Sequence, residues 1–350
     1  MATVPRYKIE YHSTSMHQDG QDASFKVRRN GRVFYIEISP SNFVNSPTMT
    51  ERYLTYLEVL RSGEEVVGDV YDTDVFEWVM DPFESLFVEL APPPPDDPKQ
   101  IRVSLQQHLF PEFFVFNLEI INEKLCPRQI FSKTPPFRPS FCRFEEDFLD
   151  DLEGWTAFYD PVGIMLSFQN PEDALFKEPR KVLIEDGKVE CFYKPCHSTV
   201  QAVRELKSYK AIAAAGLYDD QLNLCRVHGV VMDDHDFILG ILLSYIDCAD
   251  RPLSMRVIPE DPNDPPMSLR QTWMQQLDST LSSLHEAGIV WGDVKAENIL
   301  IDHDDHAWIT DFGGGYTEGW VDKSLAETME GDLMGMTKIR TLLFASKASL

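Results

Sequence analysis

The chain has 350 residues, 43% of them hydrophobic and 25% charged, which is material for one large core or two smaller ones. A formal net charge of −25 sets its surface against nucleic acid and anionic membranes and favours basic partners. No apolar run reaches the roughly 18 residues that a membrane-spanning helix needs. Met1 to Thr14 is polar with no apolar signal core, and the six cysteines form no Cys-x-x-Cys pair, so a reducing cytoplasmic or nuclear setting is expected. The nearest approach to a metal motif, Cys191 and Cys196 beside His197, alternates with bulky residues and reads as a strand.

In chain order, Phe25 to Ile38 is two strand runs around Asn30-Gly31, a hairpin dipeptide. Glu51 to Leu60 has the apolar spacing of a helix, and Tyr71 to Phe87 is mixed and partly helical. Ala91 to Pro98 carries four consecutive prolines and reads as a stiff extended connector. Ile101 to Ile121 contains strand-like runs such as Phe113 to Phe116, while 126–150 reads as loop-rich and acidic. The expectation is an N-terminal α+β region, 1–150, of no assignable function.

A second hairpin runs from Lys181 to Lys194 and turns at Asp186-Gly187. Val200 to Ala215 reads as a helix stopped by Gly216, and Leu224 to Met232 and Phe237 to Ile246 as two strands around Asp233-Asp234-His235-Asp236. Pro259, Pro262, Pro265 and Pro266 break the chain. Ser268 is expected to cap a helix reaching about Ala287, with Trp273, Leu277, Leu281 and Leu284 on one face. Ile299 to Ile301 and Ala307 to Ile309 form a short hairpin, and a last helix spans Leu333 to Ala345.

The chemistry lies between these elements. Asp293, Lys295 and Asn298 share one loop after the long helix, and Asp311-Phe312-Gly313 follows the short hairpin. Taken singly, Asp293 is a loop carboxylate, Lys194 a strand end and His285 a packing residue at a helix end; the joint pattern carries the weight. With hairpin, helix and two strands upstream, this order resembles the eukaryotic-type protein kinase core from about residue 165 to the C-terminus.

The resemblance implies an α+β fold with a small β-rich lobe and a reduced helical lobe, 165–350, that binds ATP and Mg²⁺. It implies Asp293 as the base for an attacking hydroxyl and Lys295 beside the transferring phosphate. Asn298 and Asp311 would be the Mg²⁺ ligands, with Gly313 turning the chain behind the second. Lys194 would meet the phosphates with Glu205 as its ion-pair partner, and Tyr245 and Ile246 would form the hinge beside adenine. Asp332 would support the catalytic loop from a helix start.

The chain also departs from that family. Trp291-Gly292 replaces His-Arg before Asp293, which removes an anchor for a phosphorylated loop and brings the loop closer to small-molecule kinases. Trp291 is expected to lose the polar contacts of a histidine to the Asp-Phe-Gly backbone and to pack on Phe312 instead. No glycine-rich loop precedes Lys194, no Ala-Pro-Glu follows, and the usual later helices are missing. The Gly313 to Asp332 stretch is similar to fungal protein-kinase-like proteins. Two functions stand open: phosphoryl transfer from ATP-Mg to a hydroxyl of a protein or small molecule, favoured by the full base and metal set; or a pseudokinase serving as a nucleotide-sensing or interaction module, favoured by the missing glycine loop.

Overall fold

Asn30 and Gly31 both take left-handed backbone (φ 48 and 78), the two-residue turn that keeps a hairpin's twist, and only glycine does so without strain at its second position. They join β2 (Ala23–Arg29) to β3 (Arg32–Ile38), in the register Arg29↔Arg32. This hairpin is the seed of a sheet completed by β1 (Lys8–Thr14) against β2, β4 (Phe43–Val44), and β5 (Phe113–Ile121) parallel to β3. Helices α1 (Pro47–Ser62), α2 (Asp72–Met80) and α3 (Glu84–Leu90) pack on one face, closing a core of Phe25, Phe34, Tyr53, Leu57, Trp78, Phe83, Phe87 and Phe116. A short α4 (Leu105–Leu109) carries a reciprocal Ser104/Gln107 cap.

This computed structural model describes residues 7–15, 20–218, 222–249, 251–258 and 264–344. The chain divides into two units: Met1–Pro139 with Ile164–Pro179, and Ser140–Gly163 with Arg180–Leu350. The proline run is no spacer between them. Ala91 is buried in the first unit, and the Asn30 side chain donates to the carbonyls of Ala91 (2.9 Å) and Pro92 (3.0 Å).

The stretch 126–150, expected as loop-rich, is loop from 131 to 145 but also holds most of β6 (Lys124–Ile130) and the start of α5 (Glu146–Glu153). Pro127 is tolerated inside β6 because that strand pairs with β5 alone, so the missing N–H faces an open edge. The carboxylates of α5 hide an apolar stripe, Phe148, Leu149 and Leu152, which packs into the second unit.

The second unit's sheet begins with β7 (Ala157–Tyr159), β8 (Lys181–Ile184) and β9 (Val189–Pro195). It is completed by β10 (Val227–Met232) and β11 (Ile238–Ser244), in the spatial order β8-β9-β11-β10-β7. Between β9 and β10 lies α6 (Thr199–Ala214), whose Ser198 Oγ accepts from Gln201 N at 3.4 Å as the N-cap.

After a one-turn α7 (Leu253–Arg256), α8 (Met267–Glu286) buries Trp273, Leu277, Leu281 and Leu284. Its cap is Pro266, not Ser268: the Pro266 carbonyl accepts from Leu269 N (3.0 Å) and Arg270 N (3.2 Å), so the helix starts one residue before the expected serine. Pro259, Pro262 and Ala345 lie outside the described residues. The hairpin β12 (Ile299–Ile301) and β13 (Ala307–Ile309) follows, then α9 (Met329–Phe344), which begins four residues before Leu333 and so takes Asp332 into its first turn. Sheets and helices in both units make the chain α+β, and among the described residues no helix is long and apolar enough to cross a membrane.

Candidate active site

Strand β9 pairs Lys194 with Ile241 of β11, and α6 brings Glu205 to meet it. Lys194 Nζ lies 2.8 Å from both Glu205 carboxylate oxygens and 2.9 Å from Asp311 Oδ1. One ammonium thus serves two carboxylates. Burial works against its charge, but the two anions outweigh that and raise its pKa. Burial would also raise Asp311, yet Lys194 and the Gly313 N–H hold its carboxyl below the usual range. Glu205 goes the other way: it is only 3% exposed, and burial together with the charge of Asp311 pushes it up despite Lys194.

The loop between α8 and β12 hangs on Asp332. Its carboxylate, 1% exposed, accepts from Trp291 N (2.8 Å), Gly292 N (2.8 Å) and His285 Nε2 (2.9 Å). His285 is therefore a bonded partner of that carboxylate as well as a helix-end residue. Gly335 lets α9 approach this loop: a Cβ there would fall 2.6 Å from Val294 Cβ.

Trp291 makes a polar contact to the residue before the Asp-Phe-Gly triplet rather than to the triplet itself. Its Nε1 donates to Thr310 O at 2.9 Å, the carbonyl directly before Asp311, because an indole N–H reaches the hairpin end. Phe312 meets the Tyr209 ring at 5.2 Å, and Trp291 and Phe312 share one buried cluster. Trp291→Phe keeps one aromatic ring but removes the donor along with the rest of the indole, stranding a buried carbonyl and opening a small cavity. It should lower the unfolding free energy by about 1–3 kcal/mol; wild-type stability in a denaturant titration would show that this bond contributes nothing.

Asp293 sits at the centre of a small network. Lys295 Nζ is 2.6 Å from its Oδ2, and Thr317 Oγ1 donates to its Oδ1 at 3.2 Å while accepting from Lys295 at 3.2 Å. Asn298 Nδ2 donates to the Asp293 carbonyl (2.9 Å) and to Oδ2 (3.0 Å). Both of those partners only accept, which fixes the amide orientation and leaves Oδ1 as its oxygen donor. Thr317 was missed from sequence. It lies 24 positions from Asp293, and a lone hydroxyl in a glycine-rich stretch has no spacing signature. Arg204 of α6 forms an ion pair with Glu327, tying that helix to the segment after Gly315.

These groups line a cavity of about 340 Å³: Lys194, Glu205, Asp293, Lys295, Asp311 and Gly313 face it, with 195–198, Gln201, Ile241 and 314–317. Asn298 and Asp332 stand behind the lining rather than in it, and Tyr245 and Ile246 are not part of it. Tyr245 instead lies under the Lys181 ammonium, 4.6 Å from its ring centroid, and Ile246 is buried in the core. The lining carries two lysines against three carboxylates, a formal excess of one negative charge. A polyphosphate needs a further cation to enter. In the lining, Asp311 offers only oxygen, the donor chemistry that suits Mg²⁺, and Asn298 Oδ1, behind the lining, is of the same type, so the donor chemistry fits an Mg²⁺-nucleotide.

Residues 196–330 match the family model for the protein kinase domain. Over 45 residues, 13% of this chain and 10% of the relative, the chain is 47% identical to serine/threonine-protein kinase AtPK1/AtPK6 of Arabidopsis thaliana. It is 47% identical, over 45 residues and the same shares, to AtPK2/AtPK19 of that plant. It is 42% identical over 48 residues, 14% of this chain and 4% of the relative, to serine/threonine-protein kinase LATS1 of Homo sapiens. The matches span a tenth or less of the length of these relatives. They are plant and human proteins and leave the fungal likeness of the 313–332 stretch an expectation.

Proposed function

Residues 196–330 make this chain a member of the protein-kinase-like superfamily, and on that premise we propose that it transfers a phosphoryl group from ATP to a hydroxyl acceptor. The observation that carries this is the convergence of Asp293–Lys295–Thr317 and Lys194–Glu205–Asp311 on one cavity. Asp293 takes the acceptor's proton as the acceptor oxygen bonds to the γ-phosphorus and the bond to the bridging oxygen of ADP breaks. Lys295 offsets charge on the transferring group, and Lys194, fixed by Glu205, holds the phosphates. Asp311, with Asn298, would hold Mg²⁺, which when bound would supply the positive charge that the lining lacks.

In this reading the kinase-like domain, expected from 165 onward, corresponds to the unit of Ser140–Gly163 and Arg180–Leu350, with the β7–β11 sheet and α6 as its small lobe and α8 and α9 in its helical lobe. The acceptor is a serine or threonine of a protein, or a small molecule; the charge of −25 favours a basic one.

ATP with Mg²⁺ at 100 times its Kd should stabilise the full chain by about 2.7 kcal/mol in a thermal-shift measurement. Nucleotide without metal should do far less. No shift in either condition would sink the proposal. A pseudokinase is the second reading, favoured by the absence of Tyr245 and Ile246 from the cavity lining and of a glycine-rich turn before Lys194. Metal-dependent binding with no ADP formed would decide for it.

A further inference from the structure

The β8–β9 connection turns on Asp186-Gly187, and neither residue lines the cavity. The link Pro195-Cys196-His197-Ser198, which runs directly from Lys194 into α6, lines it instead. This link is short: Lys194 and Glu205 are eleven positions apart. It is also pinned on both sides of His197. Cys196 N donates to Leu239 O at 3.1 Å, extending the sheet, and Ser198 is the N-cap of α6. The backbone of His197 is thereby placed, while its side chain is exposed, lines the cavity, and has no hydrogen bond or ion pair among the described residues.

The two lysines of the lining are engaged: Lys194 by Glu205 and Asp311, Lys295 by Asp293 and Thr317. His197 brings an N–H donor that no other described residue uses, on a link held by hydrogen bonds at both neighbours, in the same cavity wall as Lys194. We propose that His197 closes over the terminal phosphate of the bound nucleotide, replacing the backbone N–H cradle of a glycine-rich loop. This rests on the phosphotransfer reading above and adds to it the residue that selects the triphosphate. An imidazole N–H donating to a charged phosphate oxygen favours ATP over ADP, since ADP lacks the phosphate that it meets.

The test is calorimetric titration of the full chain with ATP, ADP and adenosine, each with Mg²⁺. His197→Ala should weaken ATP binding about tenfold or more while leaving ADP and adenosine near wild type. His197→Arg, which restores a donor, should recover most of the ATP affinity. Unchanged ATP affinity in His197→Ala overturns the proposal, and so does an equal loss for all three ligands, which would mark a structural role. A wild-type chain that binds none of them overturns the phosphotransfer reading itself, and this proposal with it.

Discussion

Asp293→Asn is expected to lower phosphoryl transfer by about two to four orders of magnitude, with little change in the affinity for ATP-Mg²⁺ or in thermal stability. The substitution is nearly isosteric. The Asn oxygen still accepts from Lys295 and Asn298, and its amide can donate to Thr317 Oγ1, so the network keeps its geometry. What disappears is the negative oxygen that takes the acceptor's proton. The measurement is ADP formed from ATP-Mg²⁺ with basic Ser/Thr peptides as acceptors, read beside the Kd. Equal turnover in variant and wild type would remove Asp293 from the base role. A rise in Kd matching the fall in rate would make it a binding residue.

Asp332→Ala is expected to destabilise the chain by about 3–5 kcal/mol. Three donors lose their acceptor at once, two of them backbone N–H groups of Trp291 and Gly292 that no other described residue meets, and the site is too buried for water to take over freely. Asp332→Asn should recover part of the loss, because its one remaining oxygen can still accept from the loop. Differential scanning calorimetry of both variants reads this directly. A transition for Asp332→Ala within a degree of wild type would show that the loop does not depend on this carboxylate. Since the same loop carries Asp293, any residual activity should fall more steeply than stability.

The parts of the site that were legible in the sequence are those written locally. Asp293, Lys295 and Asn298 sit on one loop, and a hairpin of evident pattern brings Asp311 back to it. The Asn30-Gly31 turn was equally legible, because two residues dictate its geometry. Less legible were contacts whose partners are far apart in sequence and chemically plain. Thr317 on Asp293 and the Trp291 indole on Thr310 are single hydrogen bonds that no spacing announces. Strand β6 was hidden by Pro127, whose cost vanishes only at a sheet edge, and α5 by the carboxylates covering its apolar stripe. The division of the chain was hidden more deeply: 140–163 and 164–179 fall in different units with no change of composition between them.

The ion pair between Lys194 and Asp311 gives the resting site a plug of its own. While it persists, the lysine proposed to meet phosphate and the carboxylate proposed to hold metal occupy each other. A nucleotide arriving bare meets a surplus of anions; a metal arriving alone must compete with an ammonium for Asp311. On that proposal the complex of the two would resolve both conflicts together, with Asp311 free to hold the metal and Lys194 free to meet the phosphates. In the proposed reading, the chain is built to admit its two ligands as a single species, and this coupling, more than any one contact, would set how sharply occupancy responds to free Mg²⁺.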